Sequence, residues 1–173
     1  SSDGFAMRQD KADKPYRNVK VRQALMLATD FEAIKRDYYK GEAEIDVFPV
    51  NLNFKVVGAY TPLAEMPQSA QELFKYNPDK AKQLLKEAGY PNGFKATVIV
   101  SSGGSGSGGS AVDEVAIFKD MWRKVGVDLV LDIKETSLFN TIVATRNYDD
   151  MLYRSLTGGF PTMFYFSPIR GTS

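Results

Sequence analysis

Asn77-Pro78-Asp79-Lys80-Ala81-Lys82-Gln83-Leu84-Leu85-Lys86-Glu87-Ala88-Gly89, followed after a short turn by Phe94-Lys95-Ala96-Thr97-Val98-Ile99-Val100-Ser101, is the stretch that decides the fold. Asn77 is a helix cap, and Pro78 takes the first helical position, where its missing N–H costs nothing. Ala81, Leu84, Leu85 and Ala88 share one helical face, and Gly89 with Pro91 ends the helix. Phe94, Ala96, Val98 and Val100 then alternate with Lys95 and Thr97, the two-residue period of a strand.

Downstream the same two periods repeat. Val115, Phe118, Trp122 and Val125 mark a helix over about 112–125 with Gly126 as its terminator, and Val127, Leu129, Leu131 and Ile133 alternate as a second strand. Ser137 opens a helix carrying Leu138, Ile142 and Val143, and 149–155 is a third strand before Gly158-Gly159. Strand, helix, strand, helix, strand in succession predicts a mostly parallel sheet flanked by helices, an α/β fold. In open sheets of this kind ligands bind beyond the carboxyl ends of the strands, which here are Ser101-Ser102, 134–136 and 154–157.

Upstream, residues 1–18 read as a polar lead-in, strand or linker. Asn18 caps a helix whose stripe is Val21, Ala24, Leu25 and Ala28. Asp30 caps a second, with Phe31, Ile34 and Tyr38 on its apolar face and Gly41 at its end. Residues 42–76 show no sustained period and predict a long connection with one helical turn.

The chain has 173 residues, enough for one domain with a core, and 22 Lys plus Arg against 21 Asp plus Glu leave no field to gather nucleic acid. Without Cys or His there is no disulfide framework, no thiolate or imidazole metal ligand and no Ser/His or Cys/His nucleophile pair, so the expectation is a non-enzyme without cofactor. No run is apolar over the roughly 18 residues a membrane span needs, and no basic segment followed by an apolar core marks a signal peptide.

Residues 103–110 are only Gly and Ser. Gly104 to Gly109 formally matches G-x-G-x-x-G, follows a strand, opens a helix and precedes Asp128 and Asp132, so a dinucleotide-binding enzyme domain is one reading. An unbroken Gly/Ser octet is better described as a flexible spacer, inserted or engineered in place of a longer loop. A spacer would tolerate alanine at Gly106 and Gly109; a cofactor loop would not.

Asn18-Val19-Lys20-Val21-Arg22-Gln23-Ala24-Leu25 with Ala28-Thr29-Asp30, Ile34 and Gly41-Glu42-Ala43 resembles the signature of family 5 extracellular solute-binding proteins. Tyr76 to Tyr90 with Gly93-Phe94, and Met121 to Val127 with Glu135 and Tyr148-Asp149, are similar to two further motifs of that family, in its order. The resemblance implies the second lobe of a type II periplasmic-binding-protein fold spanning 1–173. It implies non-catalytic capture of a peptide or other small solute in a cleft shared with a first lobe, delivery to the permease of an ABC importer, and an extracytoplasmic location. An isolated scaffold domain without ligand is the further alternative.

In that family one ligand loop follows the strand ending here at Ser101, where the Gly/Ser run now stands. The other follows the third strand and in peptide binders carries an Asp for the peptide amine; Ser155 to Pro161 has none, which directs expectation to an apolar, neutral or differently oriented ligand. The candidate ligand residues are Arg154, a cation at the cleft edge, Thr157 and Phe160 in the loop, and Ser102. Phe118 and Trp122 are expected in the core, Arg22 and Asp30 to brace helix ends, and Asp149 and Asp150 to point apart and share no ligand.

Overall fold

The computed structural model describes residues 3–45, 61–104, 109–155 and 168–170. Four strands, β1 (Asp3–Met7), β3 (Phe94–Ser101), β4 (Val127–Lys134) and β5 (Met151–Ser155), form one sheet in the order β1-β5-β3-β4. β3 pairs parallel with β4 from Phe94 opposite Val127 to Ser101 opposite Lys134, and parallel with β5 at Val98–Met151 and Ile99–Leu152. The crossovers are α5 (Ala111–Arg123) between β3 and β4, and α6 (Thr136–Thr145) between β4 and β5. The sheet is therefore mostly parallel, as the repeated strand–helix order predicts. β1 alone runs the other way, from Asp3 opposite Ser155 to Met7 opposite Met151.

Alternation sorts the strand residues between two layers. Phe5, Met7, Ala96, Val98, Val100, Val127, Leu129, Met151 and Tyr153 join the main core with α1 (Val19–Leu27), α4 (Pro78–Glu87) and α5. Ala6, Ile99 and Leu152 pack instead with Phe139, Ile142 and Val143 of α6. Phe118 and Trp122 are core residues: Phe5 packs on them with ring centroids 5.1 and 4.8 Å away. The Trp122 indole N–H donates to Thr29 Oγ1 at 3.0 Å, and the Thr29 hydroxyl donates to the Leu25 carbonyl at 2.8 Å.

The expected caps are in place. Asn18 accepts from the Lys20 N–H at 2.9 Å, Asn77 from Lys80 at 3.0 Å and Asp30 from Ala33 at 2.9 Å. Arg22 reaches back to donate to the Tyr16 carbonyl at 2.6 Å and bolts α1 to the turn before it.

Three local expectations are corrected. The helix after Asp30 is one turn of α-helix, α2 (Phe31–Ala33), running into a π turn over Ile34–Tyr38. The inserted residue rotates the face, so Tyr39 is fully buried and Tyr38 only half. The 42–76 connection holds more than one helical turn: β2 (Ala43–Ile45) pairs antiparallel with β6 (Pro168–Arg170), and a 3-10 turn over Leu63–Glu65 precedes α3 (Gln68–Leu73). Elements of three to six residues are too short for a period to declare itself. In α6 the buried residue is Phe139, while Leu138 is exposed, and Glu135 rather than Ser137 caps the helix by accepting from the Ser137 N–H at 2.9 Å.

Candidate ligand edge

Because β3, β4 and β5 are parallel, their carboxyl ends meet along one edge. A pocket of about 240 Å³ lies there, walled by Ser101 of β3, Thr136 at the start of α6, Tyr153, Arg154 and Ser155 of β5, and Asp3 of β1. Ser101 Oγ and Thr136 Oγ1 are 3.2 Å apart, and the Ser102 N–H donates to the Lys134 carbonyl at 2.8 Å, so the first two strand ends are tied together. Phe139, Asn140 and Val143 of α6 close the far wall. The pocket offers hydroxyls, one guanidinium and one carboxylate over a partly apolar wall, a set suited to orienting a small polar solute.

Arg154 stands in the wall, half-buried, with Nε donating to the Ser155 carbonyl at 3.2 Å. Ser102 is at the same edge but exposed and outside the lining. Thr157 and Phe160 lie outside the described residues. The structure adds two residues not foreseen: Asp3, fully buried, and Glu114, which receives the Tyr153 hydroxyl at 2.9 Å and the Tyr39 hydroxyl at 2.8 Å. Burial, with the Glu114 charge beside it, pushes the Tyr153 hydroxyl well above the ordinary tyrosine value. Nothing in the lead-in pattern singles out Asp3. Glu114 did carry a signal, because it falls within the apolar stripe Ala111, Val115, Phe118 and Trp122.

The two ends of the Gly/Ser run are fitted to their surroundings. Gly104 and Ser110 bridge across the loop, and Ser110 caps α5 by accepting from the Asp113 N–H at 3.2 Å. A Cβ on Gly103 would come 2.8 Å from Thr136 Oγ1, and one on Gly109 2.7 Å from the Tyr38 hydroxyl and 2.8 Å from Glu114 Oε1. Alanine at Gly109 is therefore not neutral. The first turn of α5 carries Asp113 and Glu114, whose charge opposes the pyrophosphate that a dinucleotide loop would hold at this helix end.

Two other cavities share no residue with this edge. One of about 650 Å³ lies between α2, β2 and α3, lined by Asp30, Lys35, Ile45, Leu63, Phe74 and Tyr76 among others. The other, of about 360 Å³, includes Asp149 and Asp150. Those two do point apart: Asp149 pairs with Lys11 in solvent, while Asp150 accepts from the Thr97 N–H at 2.7 Å and lies beside the buried Tyr16 hydroxyl. Among the described residues no group of His, Cys, Asp and Glu could hold a metal ion.

The model of the family described as bacterial extracellular solute-binding proteins, family 5 middle, matches residues 1–173. Heme-binding protein A of Haemophilus influenzae is 34% identical over 126 residues, which are 71% of this chain and 20% of that protein. Among solved structures, HbpA2 of Haemophilus parasuis superposes with a TM-score of 0.71 at 30% identity, over 90% of this chain and 28% of the other. The dipeptide binding protein of Pseudoalteromonas sp. SM9913, solved in complex with Met-Leu, gives a TM-score of 0.71 at 25% identity, over 88% and 28%. The chain thus spans about a fifth to somewhat over a quarter of the length of these relatives.

Proposed function

Since the chain belongs to the family 5 bacterial extracellular solute-binding proteins, we propose that it is one lobe of a two-lobed binding protein and contributes half of a cleft for a peptide or other small solute. The observation that carries this is the pocket at the joint carboxyl edge of β3, β4 and β5, where an open α/β sheet takes its ligand. The remainder of a longer chain would supply the opposite wall, as expected of a segment spanning 28% of HbpA2. Closing two walls over the solute excludes water and doubles the contacts, and the closed shape is what the permease of an ABC importer would receive outside the cytoplasm. No chemical step is required of the site: hydroxyls and a guanidinium suffice to hold a ligand.

Arg154 would hold a carboxylate or carbonyl of the solute. Asp3 places a buried carboxylate in the same wall, on β1, whereas the stretch after β5 carries none. Relatives are named for heme and for a dipeptide, and the edge chemistry favours the small polar solute.

Calorimetry tests the proposal. The chain alone, with half the contacts and no closure, is expected to bind Met-Leu only at millimolar concentration, and the longer parent with its co-purifying ligand far more tightly. Micromolar affinity of the isolated chain, or no ligand on the parent, contradicts it.

A further inference from the structure

Glu114 is 2% exposed, yet both of its carboxylate oxygens are in use: Tyr39 donates to Oε1 at 2.8 Å and Tyr153 to Oε2 at 2.9 Å. The three residues come from the end of the π turn, the first turn of α5 and the middle of β5, far apart in sequence. The π turn is what brings Tyr39 to this point, since its extra residue advances the buried face by one position. A Cβ on Gly109 would come 2.8 Å from Glu114 Oε1, so a side chain there would have to displace the carboxylate. A buried carboxylate costs several kcal/mol of hydration, and an apolar side chain of the same size would continue the α5 stripe more cheaply. What the carboxylate adds is geometry, because two hydroxyls aimed at fixed oxygens set the distance between three elements.

We infer that Glu114 is the positioning residue of the ligand edge. Through Tyr153 it fixes the centre of β5, and with it the neighbouring Arg154. Its carboxylate also abuts the root of the Gly/Ser loop, where a Cβ on Gly109 would come 2.8 Å from Oε1. It touches no ligand itself. The inference rests on the proposed reading of this edge as the solute site, but the clamp can be examined without any ligand.

The experiment compares the 15N-labelled chain with Glu114→Ala and Glu114→Gln. Gln keeps the shape and one acceptor, and its amide can donate to a tyrosine oxygen, so it is expected to preserve the edge. Ala is expected to displace the amide resonances of Gly103, Ser110, Arg154 and Ser155 several-fold more than those of Ala81 and Leu85 in α4, and to speed their hydrogen exchange. If Arg154 and Gly103 stay in place in Glu114→Ala while only the neighbours of Glu114 along α5 move, Glu114 is a packing residue and the inference is overturned. Should Glu114→Ala fail to fold, Tyr153→Phe removes one arm, and an unmoved Arg154 amide in that variant overturns the inference equally. Millimolar Met-Leu is the second arm: the wild-type edge amides are expected to shift, Gln to retain the response and Ala to lose it. A wild-type edge that ignores the dipeptide counts against the solute-site reading, while the ligand-free spectra still decide the clamp.

Discussion

Replacing Gly93 by alanine should be among the most damaging single changes in this chain, although Gly93 is remote from the ligand edge. Gly93 sits at φ +75°, immediately before β3, and a Cβ there would lie 1.9 Å from the Gly126 carbonyl oxygen and 2.3 Å from its carbon. Gly89 offers an internal control: its φ is +93°, but a Cβ would meet nothing within 4 Å. Gly89→Ala therefore carries only the left-handed backbone penalty, about 1–2 kcal/mol. Gly93→Ala carries that penalty and a clash with backbone, which no rotamer change relieves, so β3 and β4 must part where Phe94 pairs with Val127. A loss of about 4 kcal/mol or more follows, a large share of the roughly 5–15 kcal/mol that holds a domain folded. Gly126→Ala should fall between, because its φ is +92° and its Cβ would come 3.2 Å from Gly93 Cα. Urea denaturation monitored by Trp122 fluorescence gives the order directly. For a chain of this size each kcal/mol moves the melting temperature by about 2–4 °C, so Gly93→Ala should melt about 10 °C or more below the parent. A Gly93→Ala chain no less stable than Gly89→Ala would refute the close parallel start of β3 and β4.

Thr29→Val keeps the shape of the core but strands the Trp122 indole N–H, which donates to Thr29 Oγ1 at 3.0 Å, and should cost about 1–3 kcal/mol in chemical denaturation; a neutral result would mean the bond contributes nothing. Burial raises the Tyr16 and Tyr153 hydroxyls above the ordinary tyrosine value near 10, so the stability they contribute is complete below about pH 10 and is lost as the pH rises beyond it. Of the nine tyrosines, these two should ionise only in step with unfolding in a titration at 295 nm, and early, gradual ionisation of all nine would contradict their burial. On the acid side the Arg8 guanidinium beside Asp10 holds its carboxyl down to about 2, and Lys11 and Lys20 lower Asp149 and Glu87. Their contribution is present above about pH 4 and is lost as the pH falls towards 2; being exposed, the pairs should give a small effect that added salt weakens, and an acid limb unmoved by salt would argue against them.

Long, regular segments were legible in the sequence for physical reasons. Asn77 to Ala88 has a cap, a proline at the first position, an apolar stripe and a glycine stop, all naming the same helix, and β3 and β4 alternate over eight residues each. The parallel order and the carboxyl edge follow from these, so Arg154 could be assigned to the pocket wall before its neighbours were known. What escaped was set by tertiary pairing. β1 joins β5 from the other end of the chain, and with it comes Asp3, for which no local period exists. The π turn changes which tyrosine is buried without changing the residues that compose it. Glu114 broke the apolar stripe of α5 visibly, but only the placement of Tyr39 and Tyr153 explains why a charge is tolerated there.

The most direct test of the central claim is where a ligand protects this segment. Hydrogen exchange on the longer parent protein, with and without its co-purifying ligand, should show protection at Ser101 to Gly104, Thr136 and Arg154-Ser155, the residues around the carboxyl-edge pocket. Protection instead at Asp30 to Lys35 and Leu63 to Tyr76, around the larger cavity between α2 and α3, with the sheet edge unchanged, would contradict it.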